Sequence, residues 1–138
     1  MAKVIIVNSL FKEIQKKFKG ETHKIIDLME TLKKNPKKGK LIGNVGGIII
    51  KELKYKSFRF YFITDGHKLK LFDTESLTEI LIRFVRMSHK KDQQKVINEI
   101  KDVLRKIGKQ EGFVWLIKNV SLYLLEKNLS GGLGEGNI

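Results

Sequence analysis

The run from Ile48 to Thr64, IIIKELKYKSFRFYFIT, constrains the fold more than any other part of the chain. β-Branched and aromatic residues at this density favour extended backbone, whose side chains alternate between two faces. Phe58, Phe60 and Phe62 fall on one face, and Arg59, Tyr61 and Ile63 on the other. The expected product is a sheet with an apolar side, the Phe stripe being core, and a second side able to carry chemistry. Asp65-Gly66 follows, a dipeptide suited to a tight reversal, and Lys68–Phe72 reads as the returning strand. Lys51, Lys54, Lys56, Arg59, Arg83, Arg86, His89, Lys90 and Lys91 are threaded through the extended runs of residues 48–91. Strands so apolar do not need that many cations to fold, which points to a basic surface laid on a sheet.

The chain of 138 residues suits one domain with a real core. Its 28 Lys and Arg against 15 Asp and Glu give a net charge of +13. Residues 108–138 hold three Lys and three Glu, so the whole excess belongs to residues 1–107. A localised excess of this size favours a polyanionic partner, whether RNA, DNA or an acidic protein segment, over a merely solvated lysine-rich surface. The absence of cysteine excludes disulfides and thiolate metal sites and fits a cytoplasmic location. Val4–Val7 is too short for a signal-peptide core, and no stretch approaches ~18 apolar residues, so no membrane span is expected.

In chain order, Val4–Val7 reads as a short buried strand, and Asn8 or Ser9 as the cap of the helix that follows. Phe11, Ile14 and Phe18 recur at helical spacing until Gly20 breaks the helix. A second helix over residues 21–34 carries Ile25, Leu28, Met29 and Leu32 on its apolar face, which makes a helical hairpin over one side of the sheet. KKNPKKGK at residues 33–40 is a loop by its Pro and Gly, and its charge, Lys37 and Lys38 included, suits either phosphate contact or a solvated lysine loop. LIGNVGG at residues 41–47 reads as a turn-rich connection. Asp73–Leu77 interrupts the pattern, Thr78–Met87 resumes as a strand, and a helix runs over residues 92–107 with Val96, Ile100, Val103 and Ile107 in its stripe. Phe113–Lys127 is a strongly apolar helical segment, and SGGLGEGNI at residues 130–138 has the composition of a flexible tail.

This order of elements, with Asn35-Pro36 after the second helix, then Lys51-Glu52-Leu53-Lys54, Phe58-Arg59-Phe60-Tyr61 and Ser88-His89-Lys90-Lys91, resembles the RelE/ParE superfamily of bacterial and archaeal toxins over about residues 3–107. The resemblance implies an α+β fold: a small, mostly antiparallel sheet with an N-terminal helical hairpin and a helix after the last strand. It sets a toxin domain at residues 1–107 apart from an extension at residues 108–138 with an extra helix. RelE-type members cut ribosome-bound mRNA without metal or cofactor and are restrained by an acidic antitoxin protein. ParE-type members share the fold, act on DNA gyrase and lack the ribonuclease residues. Cleavage through the RNA's own 2′-hydroxyl needs a base, cations around the phosphate and an acid for the leaving oxygen. By the resemblance, Arg59 and Lys54 match phosphate-binding positions, Lys90 or Lys91 the cation after the last strand, and His89 an acid or base. Glu52 stands where RelE itself has a lysine, and some relatives use a glutamate base there. Lys37, Lys38, Lys51, Lys56, Arg83 and Arg86 complete the expected RNA contacts.

Two further expectations are structural. Arg59, as an exposed strand residue, would pair with Glu52 across strands for only about 0.2–1 kcal/mol. The apolar segment Phe113–Lys127, with no net charge in residues 108–138, would pack on the chain's own core or join two copies into a homodimer. The charge itself yields a first prediction. Affinity for single-stranded RNA should fall steeply between about 50 and 200 mM salt, because each neutralised phosphate releases counterions. Filter-binding titrations check this, and salt-independent binding would remove the electrostatic argument.

Overall fold

The computed structural model describes residues 2–72 and 79–108. The expected start of a strand at Thr78, the Asp73–Leu77 spacer, the helix at Phe113–Lys127, the tail and any dimer built on that helix lie outside the described residues. The element order is β1 (Ala2–Ile6), α1 (Asn8–Phe18), α2 (Thr22–Glu30), β2 (Lys40–Val45), β3 (Ile48–Tyr55), β4 (Phe58–Asp65), α3 (Gly66–Leu71), β5 (Ile80–His89) and α4 (Gln93–Gly108). The strands form one α+β sheet in the order β1-β5-β4-β3-β2, with β1 parallel to β5 and every other pair antiparallel.

Both sides of this sheet are covered. Phe18 of α1 packs edge-on against Phe58 at 5.0 Å between ring centres and reaches Phe60 at 6.1 Å. Ile14, Ile25, Met29 and Leu32 seal that helical layer. The β3–β4 register pairs Leu53 with Phe60 and Glu52 with Tyr61, so Glu52 and Tyr61 face the other way. There α4 lies across the sheet, its Gln93 bonded to Glu52 and its Glu99 to Arg86. The side expected to stand open therefore buries Tyr61, Ile63 and Ile50 completely. Val96, Ile97, Ile100, Val103 and Leu104 supply the apolar stripe of α4 that requires this cover.

A bulge in β5 decides which of its side chains meet which layer. Tyr61 pairs with Arg86, yet its neighbour Phe62 pairs with Phe84, leaving Val85 as the extra residue. Phe84 thus joins Phe62 in the helical layer, with ring centres 4.9 Å apart, while Arg86 and Ser88 share the face of Tyr61 and Arg59. A regular strand would have put Phe84, Arg86 and Ser88 on one face.

Several local expectations change. Residues 40–45 form a strand rather than a plain connection, closed onto β3 by a two-residue turn at Gly46-Gly47, both at positive φ. Helix α1 starts at Asn8 after an uncapped Val7, and it ends through a positive φ at Lys19, one residue before Gly20. The tight hairpin reversal is Lys56-Ser57, with Lys56 at φ 53°, and Asp65-Gly66 opens a helix instead. The Asp65 carboxylate accepts from the backbone N–H groups of His67 at 2.9 Å and Lys68 at 3.2 Å, capping α3 where a returning strand was expected. Lys68–Phe72, KLKLF, is short enough to fit either period, and the cap with buried Leu69 selects the helix. Asp65→Ala should accordingly cost about 1 kcal/mol in urea unfolding, a typical loss for a capping side chain. No measurable loss would mean that the cap does not hold α3.

Candidate functional site

The three central strands outrun the edge strands at the Lys56-Ser57 end of the sheet. Strand β2 begins its pairing at Lys40 opposite Glu52, so Leu53–Tyr55 extend beyond it. Strand β1 ends its pairing at Ile6 opposite Phe84, after which the Val7 N–H reaches the Phe84 carbonyl at 3.1 Å. Beyond that point β5 pairs with β4 alone as far as His89. Each overhang opens a groove: one beside the 38–40 loop, of about 490 Å³, and one between α1 and α4, of about 540 Å³.

The loop-side groove gathers Glu52, Lys54 and Arg59 with Lys38 and Lys40. Gly39 makes this possible. It sits at φ +105°, and a Cβ there would lie 3.0 Å from Phe62 Cζ and 3.1 Å from the Glu52 carbonyl oxygen. Only glycine lets the loop press so closely on β3 and bring both flanking lysines to the groove mouth. Lys38 Nζ donates to Thr31 Oγ1 at 3.1 Å, and Lys54 is exposed.

Glu52 has a partner on each carboxylate oxygen. Gln93 Nε2 donates to Oε1 at 3.1 Å, and Arg59 Nε stands 3.6 Å from Oε2. Arg59 also donates through Nη1 to the Phe58 carbonyl at 3.2 Å. The side chains of Arg59 and Glu52 are only 9% and 7% exposed, so the expectation of an open strand arginine is corrected. The cause is α4, whose first residue roofs Glu52. Beside them the Tyr61 hydroxyl shares a 2.8 Å hydrogen bond with Ser88 Oγ, and burial pushes the phenol pKa up.

The remaining expected residues are dispersed. His89 projects from the opposite side of the pleat to Arg59, stacks edge-on with Phe58 at 5.2 Å and accepts at Nδ1 from the Lys91 N–H at 3.4 Å. It lines the β5-side groove with Arg86 and Lys91, and Arg86 Nη2 pairs with Glu99 at 2.9 Å. Lys90 is held to the hairpin turn through its N–H to the Ser57 carbonyl at 2.9 Å. Lys56 pairs with Glu21 at 2.8 Å, and the Tyr55 hydroxyl donates to the same Glu21 oxygen. Lys51 lies buried on the Phe62 face, its ammonium donating to the Lys37 carbonyl at 2.6 Å; burial, then the charge of Lys37, lowers its pKa. Lys37 itself is exposed. Arg83 is buried opposite Ile5 and Ile63, and burial lowers its pKa too. Lys51 and Arg83 are thus built into the sheet rather than presented to a partner.

Sequence reasoning missed Lys40 and Gln93. Lys40 was visible only as one more charge in a loop, and no local signal ties Gln93 to a residue 41 positions away. Among the described residues no cluster of three His, Asp or Glu could hold a metal ion, and no helix is long and apolar enough to cross a membrane. Burial of the Glu52–Arg59 pair predicts that Arg59→Ala costs about 3 kcal/mol, since it strands a buried carboxylate. Adding Glu52→Gln should recover part of that loss in a double-mutant cycle by urea unfolding. A loss under about 1 kcal/mol with no coupling would show the pair to be energetically a surface one.

No protein-family model, curated protein or solved structure matches this chain, and the chemistry of the two grooves rests on their own geometry.

Proposed function

We propose that this protein is a RelE-type endoribonuclease that cuts ribosome-bound mRNA in the loop-side groove and so inhibits translation in the cytoplasm. One observation carries the reading: Glu52 is a fixed carboxylate in an open groove whose other charged residues, Lys38, Lys40, Lys54 and Arg59, are all cations. In the reaction, Glu52 takes the proton of the 2′-hydroxyl, and the 2′-oxygen attacks the adjacent phosphorus. Arg59 and Lys54 bind the non-bridging oxygens as negative charge builds on them. Arg59 spends Nε on Glu52 and one Nη1 proton on Phe58, which leaves Nη2 for a phosphate oxygen. The bond to the 5′-oxygen then breaks, and that oxygen takes a proton from the ammonium of Lys40 or Lys54. The products are a 2′,3′-cyclic phosphate and a 5′-hydroxyl. His89, Lys90 and Lys91 serve RNA binding in this scheme rather than proton transfer, because His89 projects from the opposite side of the pleat to Arg59. An acidic antitoxin protein that occupies the cationic grooves would hold the enzyme in check.

A second reading is a binder without catalysis, either a ParE-like or degenerate relative or a basic nucleic-acid-binding protein. It is favoured by the mutual neutralisation of Glu52 and Arg59, both more than nine-tenths buried. Mapping mRNA 5′ ends after expression separates the two. Wild type should create new 5′-hydroxyl ends within translated regions. Lys54→Ala, an exposed change that spares the fold, should reduce them about 10²–10³-fold, and Glu52→Gln about 10²–10⁴-fold. RNA binding by the wild type without new ends would favour the second reading.

A further inference from the structure

The β5-side groove holds an aromatic and cationic cluster that takes no part in the bond-breaking step. Phe58 presents its ring there, with His89 edge-on at 5.2 Å and Lys17 Nζ 5.3 Å from the ring centre. Lys91 and Lys95 stand on the α4 side, both exposed. The acids of the groove offset most but not all of these cations: Glu99 pairs with Arg86, and Glu13 and Asp92 stand against three lysines, Lys17, Lys91 and Lys95, so the lining keeps a net positive charge. An aromatic pair framed by exposed lysines suits an unpaired base with its phosphates, since bases stack on rings while lysines follow the backbone.

The two grooves are separate but flank the same end of the sheet. Arg59 lines the loop-side groove, and its partner across the ladder, Ser88, lines the β5-side groove. One strand spacing, about 4.8 Å, separates their backbones, and the free margins of β3 and β5 are on the order of 10 Å apart. A nucleic-acid strand whose phosphate lies at Arg59 is therefore within reach of the β5-side groove across β4 and β5.

We infer that the β5-side groove is a second nucleotide subsite, holding the single-stranded RNA that continues from the phosphate bound at Arg59 and Lys54. The inference rests on the reading of the loop-side groove as an RNA site. It gives Lys17, Lys95 and the Phe58–His89 pair a role in gripping a flanking nucleotide, independent of the cleavage step.

The test uses the full chain and a single-stranded oligouridylate that is 2′-O-methylated throughout, so it can bind but not be cut. Affinity is measured over a salt series for wild type, Lys17→Ala/Lys95→Ala, Lys54→Ala, and Lys12→Ala/Lys106→Ala. The last pair removes the same charge from exposed positions outside both grooves. The expected result is that Lys17→Ala/Lys95→Ala binds several-fold more weakly, with a salt slope shallower by about 1.4, or ~0.7 for each lost phosphate contact. The Lys12/Lys106 pair should leave the slope unchanged. If the two double variants behave alike, the groove is no subsite and the inference fails. Lys17→Ala/Lys95→Ala that loses binding to polyglutamate but not to the oligonucleotide overturns it as well, and assigns the groove to an acidic protein segment. If Lys54→Ala binds as wild type while Lys17→Ala/Lys95→Ala is weakened, the RNA site at Lys17 and Lys95 stands and the function proposed for the loop-side groove falls.

Discussion

Strand β4 is covered on both faces, and most of the molecule follows from that constraint. From Arg59 to Thr64 every residue is buried, so each polar group there needs a partner inside the protein. Arg59 finds Glu52, Tyr61 finds Ser88, and Thr64 Oγ1 donates to the Leu81 carbonyl at 2.8 Å. These partners come from the two strands beside β4, which locks the register of β3 and β5 against it. The helical layer and α4 then pack on opposite faces because β4 offers apolar surface to both.

The grooves come from unequal strand lengths. A pair of short edge strands leaves the ends of β3 and β5 projecting, and an unpaired sheet margin is normally shielded or charged. Here the projecting end carries Lys54, Lys56, Lys90 and Lys91, with Lys17, Lys38 and Lys40 supplied by neighbouring elements. The same placement that discourages strand addition creates a strong positive field around an open groove. That field is what a phosphate backbone would meet first.

Within the loop-side groove, stability and the proposed chemistry draw on the same two residues. Gln93 and Arg59 hold the Glu52 carboxylate in one orientation, and such fixing favours proton transfer if substrate reaches it. It also means that Arg59 cannot leave without stranding a buried charge, so loss of activity in an Arg59 variant alone would not separate catalysis from folding. Lys54, exposed and in the same groove, is free of that ambiguity.

The sequence by itself determined the helices and the central strands, because periods of 3.6 and 2 are local and survive without knowledge of partners. Helices α1, α2 and α4, strands β1, β3, β4 and β5, and the clustering of positive charge before residue 108 were legible in this way. So was the pairing of Glu52 with Arg59, two residues that alternation puts on one face. Tertiary structure decided the rest. Strand β2 is short and holds a glycine, and it becomes a strand only because β3 lies beside it. The bulge at Val85 reverses the parity of β5, which no periodic reading of that strand contains. The burial of Arg59, Lys51 and Arg83 depends on what packs over the sheet, and alternation says only which face a side chain takes. The separation of His89 from Arg59 has the same origin: neighbours across a ladder share an end of the sheet, but the pleat sends alternate side chains to opposite sides.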